Sequence, residues 1–350
     1  EAPGVYKGYD YTRAGNPNFT ALEEVLAALE EGAYATVFSS GLGALTALAS
    51  SLKAGDHVVA TNDLYGGTFR LFTQVFNRFN VAFSMVDMTD MAAVALVMER
   101  KPALAIIESP TNPLLKIIDI RAVVEIAKQH GALTIVDNTF ASPYFQKPLL
   151  LGADVVVHST TKYIGGHSDV IGGAVITNNA DVKKQIVFAR KAIGLNPSPF
   201  DTWLTLRGVK TLALRMEQHQ KNAFAVAEFL AMHPCVKKVY YPGLSTHANH
   251  DVAKRQMSGF SGIVSVEFNL TLEETKRLIS SFKIFTLAES LGGVESLVDH
   301  PATMTHASIP RFEREAAGLA DGLVRFSVGI EDARDLVRDL EGGLGSVKNA

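Results

Sequence analysis

The sequence predicts an α/β protein, with a large, mostly parallel seven-stranded sheet and a smaller α+β region after it. Three observations carry this expectation. Short β-branched runs alternate with helix-period stretches through the first half, the pattern of βα units around a parallel sheet. Two runs, Leu133-Thr134-Ile135-Val136-Asp137 and Val155-Val156-Val157-His158-Ser159-Thr160-Thr161-Lys162, are largely apolar and end in polar or charged groups, as strands buried on both faces do. After Pro234 the pattern changes to longer strands and separate helices.

Taken in order, strands are expected at 34–39, 57–61, 81–86, 103–108, 132–137, 154–158 and 170–177. Helices are expected between them at 22–29, 44–52, 68–79, 91–100 and 121–130. Gly55-Asp56, Gly131-Ala132 and Gly152-Ala153 mark helix ends. Asn196-Pro197-Ser198-Pro199 reads as a turn, and the amphipathic stretch 200–232, broken near Gly208, as a helix bridging two domains. Beyond it, 236–241, 263–268 and 323–328 read as strands, 272–282 and 332–340 as helices. No tandem repeat stands out, which argues against a solenoid.

Bulk properties narrow the function classes. The chain has 350 residues, enough for two domains, and its net charge of −3 supplies no drive toward nucleic acid or an anionic membrane surface. No apolar run reaches the roughly 18 residues of a membrane span. Cys235 is the only cysteine and the histidines lack ligand spacing, so neither disulfides nor a metal centre are expected. The first residues show no charged or apolar leader pattern, and the cytoplasm is the expected location.

Ligands of open α/β sheets collect beyond the carboxyl ends of the strands. Asp137 and Lys162 end two of these runs, with the hydroxyls of Ser159 and Thr161 beside the lysine. That set suits pyridoxal phosphate: an amine for covalent attachment, an acid for the pyridine nitrogen, hydroxyls for the phosphate. Ser39-Ser40-Gly41-Leu42-Gly43-Ala44 follows a strand and opens a helix, where backbone N–H groups can meet an anion. A dinucleotide site would need a third glycine, but Thr46 stands there. Tyr65, before Gly66-Gly67, is placed to lie against a cofactor ring. Arg13 offers a fork of donors to an anion, and Arg325, inside an apolar run, needs a partner such as a substrate carboxylate.

Together these residues resemble the Cys/Met-metabolism family of pyridoxal-phosphate enzymes, of the aspartate-aminotransferase fold type. The resemblance spans nearly the whole chain. It runs from Tyr11-Thr12-Arg13-Ala14-Gly15-Asn16-Pro17 through Asp63-Leu64-Tyr65-Gly66-Gly67-Thr68, Glu108-Ser109-Pro110-Thr111-Asn112-Pro113 and Val136-Asp137-Asn138-Thr139-Phe140. It continues through His158-Ser159-Thr160-Thr161-Lys162 and Leu287-Ala288-Glu289-Ser290-Leu291-Gly292-Gly293-Val294-Glu295-Ser296 to Arg325-Phe326-Ser327-Val328-Gly329.

The resemblance implies that Lys162 carries the cofactor and shuttles protons, that Asp137 holds the ring nitrogen, and that Tyr65 stacks and exchanges protons with substrate. It implies that Ser159, Thr161 and the amides of Gly41 and Leu42 hold the phosphate. It implies that Arg325, Asn112 and Ser290 bind the substrate carboxylate, with Arg70 as a further contact. Tyr11 and Arg13 would reach the neighbouring subunit's phosphate, in a homotetramer with shared sites. Residues 1–15 then read as the remnant of an N-terminal arm, 16–208 as the cofactor-binding domain and 209–350 as the small domain.

Three positions bear on the substrate. Gly67 stands where methionine γ-lyases carry a cysteine, which disfavours that activity. Glu289 and Asp10 resemble the acids of γ-lyase- and γ-synthase-type enzymes, suited to the distal ammonium of cystathionine. The expected activity is cystathionine γ-lyase, with cystathionine γ-synthase the alternative, then cystathionine β-lyase or methionine γ-lyase. The run His300-Pro301-Ala302-Thr303-Met304-Thr305-His306-Ala307-Ser308-Ile309-Pro310 adds to the γ-lyase likeness. A catalytically silent scaffold would not need Lys162, Asp137 and Arg325 together, and a nicotinamide-dependent oxidoreductase would need the missing fingerprint.

Overall fold

Seven strands form the larger sheet: β1 (Tyr34–Phe38), β2 (His57–Thr61), β3 (Ala82–Val86), β4 (Leu104–Glu108), β5 (Leu133–Asp137), β6 (Val155–His158) and β7 (Gly173–Thr177). The computed structural model describes residues 5, 8–304, 312 and 318–348. Strand order is β1-β7-β6-β5-β4-β2-β3, parallel throughout except that β7 runs antiparallel to both neighbours. The expected mostly parallel sheet is present. Its strands are apolar on both faces because helices cover both. Ile106, Ile135 and Val157 pack into one core cluster, whereas Ile107 and Val136 pack into another on the opposite side, as the two-residue period of a strand requires.

The helices start where polar caps stand. Asn16 accepts the Phe19 N–H and Pro17 occupies the first turn, so α1 spans Pro17–Glu30, earlier than the apolar period alone suggests. α2 (Gly41–Ala49) starts on Ser40, whose hydroxyl accepts the Gly43 N–H. The stretch expected as one helix over 68–79 divides into an α-turn at Gly66–Arg70, a π-turn at Leu71–Val75 and a 3-10 turn at Phe76–Phe79. The bridging stretch is two helices, Pro199–Val209 and Leu212–Ala231. A helix at Ala180–Ala189, capped by Asn179, was not among the expected elements. Strand β7 begins at Gly173, later than expected, because the Gly172 peptide is tied to the Thr161 hydroxyl.

A second, smaller sheet follows, made of β8 (Val236–Tyr240), β9 (Ile263–Phe268), β10 (Thr286–Leu287), β11 (Leu297–Asp299) and β12 (Leu323–Ser327). Its order is β10-β11-β12-β9-β8, mostly antiparallel, and it packs on Leu212–Ala231 and the C-terminal helix Ala333–Lys348 around Val264, Val266, Phe326 and Leu336. The two short strands β10 and β11 escape periodicity because they hold only two and three residues. Residues 305–310 of the run that begins at His300 lie outside the described residues. Among the described residues no helix is long and apolar enough to cross a membrane.

Candidate active site

The carboxyl ends of β4, β5 and β6 open into one cavity of about 270 Å³. Its wall contains Lys162, Asp137, Tyr65, Ser159, Thr161, Gly41 and Leu42 from the larger sheet's loops. Asn112, Glu289, Ser290 and Arg325 complete it on the side of the second sheet.

Lys162 follows β6 by four residues and donates from Nζ to the Ser290 hydroxyl at 2.7 Å. Burial first, then the Arg325 cation, lower its amine to about 8, against the opposing pull of Glu289. Asp137 ends β5 half-buried, and its Oδ1 accepts the Thr139 N–H at 3.0 Å. Burial raises its carboxyl from the usual range, against the pull of the Thr139 bonds and of His158. Below it, His158 pairs with the carboxylate of Glu30, both about 1% exposed, and Asn138 donates to the same Glu30 oxygen at 2.9 Å.

The cavity wall includes the first residues of α2. Ser40 takes the Gly43 N–H, which leaves the first amides of the helix, those of Gly41 and Leu42, outside the intrahelical ladder. A Cβ on Gly41 would lie 3.1 Å from Cβ and 3.2 Å from Cα of Ser159, so glycine lets the two loops close on one another. The Ser159 amide donates to Thr139 Oγ1 at 3.0 Å. The Thr161 hydroxyl is held between the Gly172 N–H and carbonyl, at 3.1 and 3.2 Å.

Arg325 is 2% exposed. Its two terminal nitrogens donate to Asn112 Oδ1 at 2.8 Å and the Ser290 carbonyl at 3.0 Å, and it pairs with Asp299 across β11 and β12 at 3.4 Å. The partner that sequence reasoning demanded is thus supplied within the protein. The guanidinium still lines the cavity, and its buried Nε has no hydrogen bond among the described residues. Ser290 holds a positive φ of 88°, which costs a non-glycine residue about 1–2 kcal/mol. That twist lets one residue offer its carbonyl to Arg325 and its hydroxyl to Lys162.

Tyr65 is 44% exposed over the cavity, and its backbone N–H donates to Glu108 Oε2 at 2.8 Å. A Cβ on Gly67 would lie 2.3 Å from Cε1 of that ring, so any side chain there would displace it. Glu289 is exposed at the cavity wall.

Four expected site residues lie outside the wall formed by this chain. Tyr11 and Arg13 pack on each other, with the guanidinium 5.0 Å from the ring centroid, and Arg13 also donates to the Lys191 carbonyl. Asp10 and Arg70 are exposed and do not line the cavity. Conversely, sequence reasoning passed over Glu108, Thr139, Phe140 and Ile171, all of which line it. Glu108 carried the same signal as Asp137, an acid closing an apolar run.

Residues 2–345 match the family model described as Cys/Met metabolism PLP-dependent enzyme. A cystathionine gamma-synthase of Mycobacterium tuberculosis is 52% identical over 343 residues, covering 98% of this chain and 88% of that protein. A cystathionine gamma-lyase of Dictyostelium discoideum is 50% identical over 344 residues, 98% and 89% of the two chains. A cystathionine beta-lyase of Coxiella burnetii is 49% identical over 346 residues, again 98% and 89%. The crystal structure of cystathionine gamma synthase from Xanthomonas oryzae pv. oryzae in complex with cystathionine superposes with a TM-score of 0.96 at 49% identity, covering 99% of this chain and 90% of that one.

Proposed function

The chain belongs to the Cys/Met-metabolism PLP-dependent enzymes, and within that family we propose that it cleaves L-cystathionine by α,γ-elimination. With one water consumed, the products are cysteine, 2-oxobutanoate and ammonia. The observation that supports this choice is the pairing of Arg325 and Glu289 on one cavity wall, a cation for the α-carboxylate and an acid for the distal ammonium.

The residues present fit pyridoxal 5′-phosphate. A lysine amine brought to about 8, a half-buried carboxyl at a strand end and two helix-start amides beside a serine hydroxyl form its binding set. The bound cofactor supplies an electron sink conjugated to the substrate's α-carbon. In this reading Asp137 holds the ring nitrogen's proton, while the Gly41 and Leu42 amides, Ser159 and Thr161 hold the phosphate. Tyr65 covers the ring. Arg325, with Asn112 and the Ser290 carbonyl behind it, orients the carboxylate. Lys162, whose amine is brought to about 8, moves protons at the substrate's carbons.

A second reading is γ-replacement, in which cysteine displaces the ester group of an O-acylated homoserine to make cystathionine. The 52% identity to a named gamma-synthase favours it. Steady-state assays decide between the two: cystathionine alone yields 2-oxobutanoate and cysteine under the first reading. O-succinylhomoserine plus cysteine yields cystathionine under the second. Homocysteine and pyruvate from cystathionine would overturn both.

A homotetramer with shared sites and a cytoplasmic location belong to the same proposal. Support for assembly comes from apolar side chains left uncovered on this chain, among them Phe188 at 72% and Leu214 at 75% exposure, and from Tyr11 and Arg13 standing clear of their own cavity.

A further inference from the structure

Glu108 closes β4 inside the cavity wall and is 6% exposed. Its side chain joins segments that are far apart in sequence. It accepts the Tyr65 N–H, 43 residues earlier, at 2.8 Å. The backbone N–H of Asn112 acts on the same carboxyl and favours its charged form. From Asn112 the connection continues: its Oδ1 accepts from Arg325 at 2.8 Å, Arg325 donates to the Ser290 carbonyl at 3.0 Å, and the Ser290 hydroxyl accepts from Lys162 at 2.7 Å.

We propose that Glu108 is a positioning residue: its carboxyl is the link that attaches Tyr65 to a hydrogen-bonded chain around the pocket wall, running through Asn112, Arg325 and Ser290 to Lys162. The helix that follows Tyr65 has no side-chain cap, and the ring is 44% exposed. Without Glu108 the Tyr65 backbone would keep the bonds of its carbonyl to the Thr68 and Phe69 N–H groups, at 2.9 and 3.3 Å, and lose the one on its amide.

The neighbouring acid explains the form in which Glu108 does this. Glu108 and Asp137 are register partners on adjacent parallel strands, so their side chains rise side by side from the same face. Burial, then the charge of Asp137, push the Glu108 carboxyl well above the usual range. Two adjacent buried carboxylates do not both ionise. Glu108 is the member pushed further toward the neutral form, and its oxygens serve as acceptors for backbone N–H groups.

The inference rests on the cofactor pocket but not on the choice between elimination and replacement. Three variants of the holoenzyme test it. Glu108→Gln preserves length, neutrality and an acceptor oxygen, so its kcat/KM should stay within about threefold of the parent. Glu108→Ala removes the acceptor and releases the Tyr65 backbone from the cavity wall, so kcat/KM should fall roughly ten- to hundredfold. Glu108→Asp is one methylene too short to reach Tyr65 and should resemble Ala, and it covers the case in which Ala fails to fold. The second readout is the visible circular dichroism of bound cofactor, measured without substrate, which should change in Ala and Asp and not in Gln. Parent-like kinetics and dichroism in both Ala and Asp would overturn the proposal. So would a Gln variant as impaired as Asp, with one limb of its pH profile missing, since that would make Glu108 a proton donor or acceptor. A parent protein with no visible cofactor signal would overturn the pocket assignment itself, and this proposal with it.

Discussion

Cofactor capture by the apo-protein should rise with pH around a midpoint near 8, because the free amine of Lys162 is the nucleophile. An ordinary lysine, at 10.5, would have about 0.03% of its amine free at pH 7; at about 8 the fraction is about 9%, a gain of roughly 300-fold. Burial is the main cause, Arg325 assists and Glu289 opposes, so the structure predicts signs for variants as well. Glu289→Gln removes the carboxylate that favours the ammonium form, and the midpoint should move below that of the parent. Arg325→Lys keeps the cation and should leave it nearly in place. The assay is stopped-flow mixing of apo-protein with pyridoxal phosphate from about pH 6 to 10, followed at the visible band of the lysine-bound cofactor. A midpoint above 10, or an upward shift in Glu289→Gln, would refute the electrostatic account. The same shift bears on stability. Between about 8 and 10.5 the unfolded chain binds the proton that the folded one has lost, so apo-protein stability should rise with pH across that window.

Other outcomes follow from the same geometry. Lys162→Ala should lose turnover yet retain some cofactor, because in the proposed site the amides of Gly41 and Leu42 and the Ser159 hydroxyl would grip the phosphate separately; substantial activity would sink the assignment. Mixing inactive Arg13→Ala with inactive Lys162→Ala should restore activity after subunit exchange, since one hybrid site regains both residues; no recovery would count against shared sites. Gly67→Cys should displace the Tyr65 ring, whose Cε1 lies 2.3 Å from the new Cβ, and alter the visible dichroism; an unchanged signal would show the ring is not held there. Glu289→Val should lower kcat/KM for cystathionine about tenfold, the equivalent of ~1.4 kcal/mol, and affect homocysteine less. An unchanged ratio of the two would make Glu289 a solvated acid.

The sequence carried the parts of this site that are local. An apolar run ending in Asp137, another ending four residues short of Lys162, and a Ser-Gly turn opening α2 are each visible within ten residues, because strand and helix periods and caps are short-range properties. The chain order of these segments also carried the family likeness, and hence the cofactor. Periodicity misjudged the stretch after Tyr65, where three turn types succeed one another, since a regular period cannot signal a change of helical pitch.

Only the tertiary structure decided which groups stand together. Arg325 meets Asn112 across 213 positions of sequence, and Asp299 faces it because β11 and β12 pair in one particular register. Glu108 and Asp137 looked alike as strand-end acids, and nothing local shows which carboxyl is pushed further from its usual range. Their adjacency is a consequence of the strand order β4-β5, and the shift of each acid is a consequence of how much water the surrounding chain removes. Desolvation and charge coupling depend on every residue packed around a site, so they exist only once the whole sheet has closed over it.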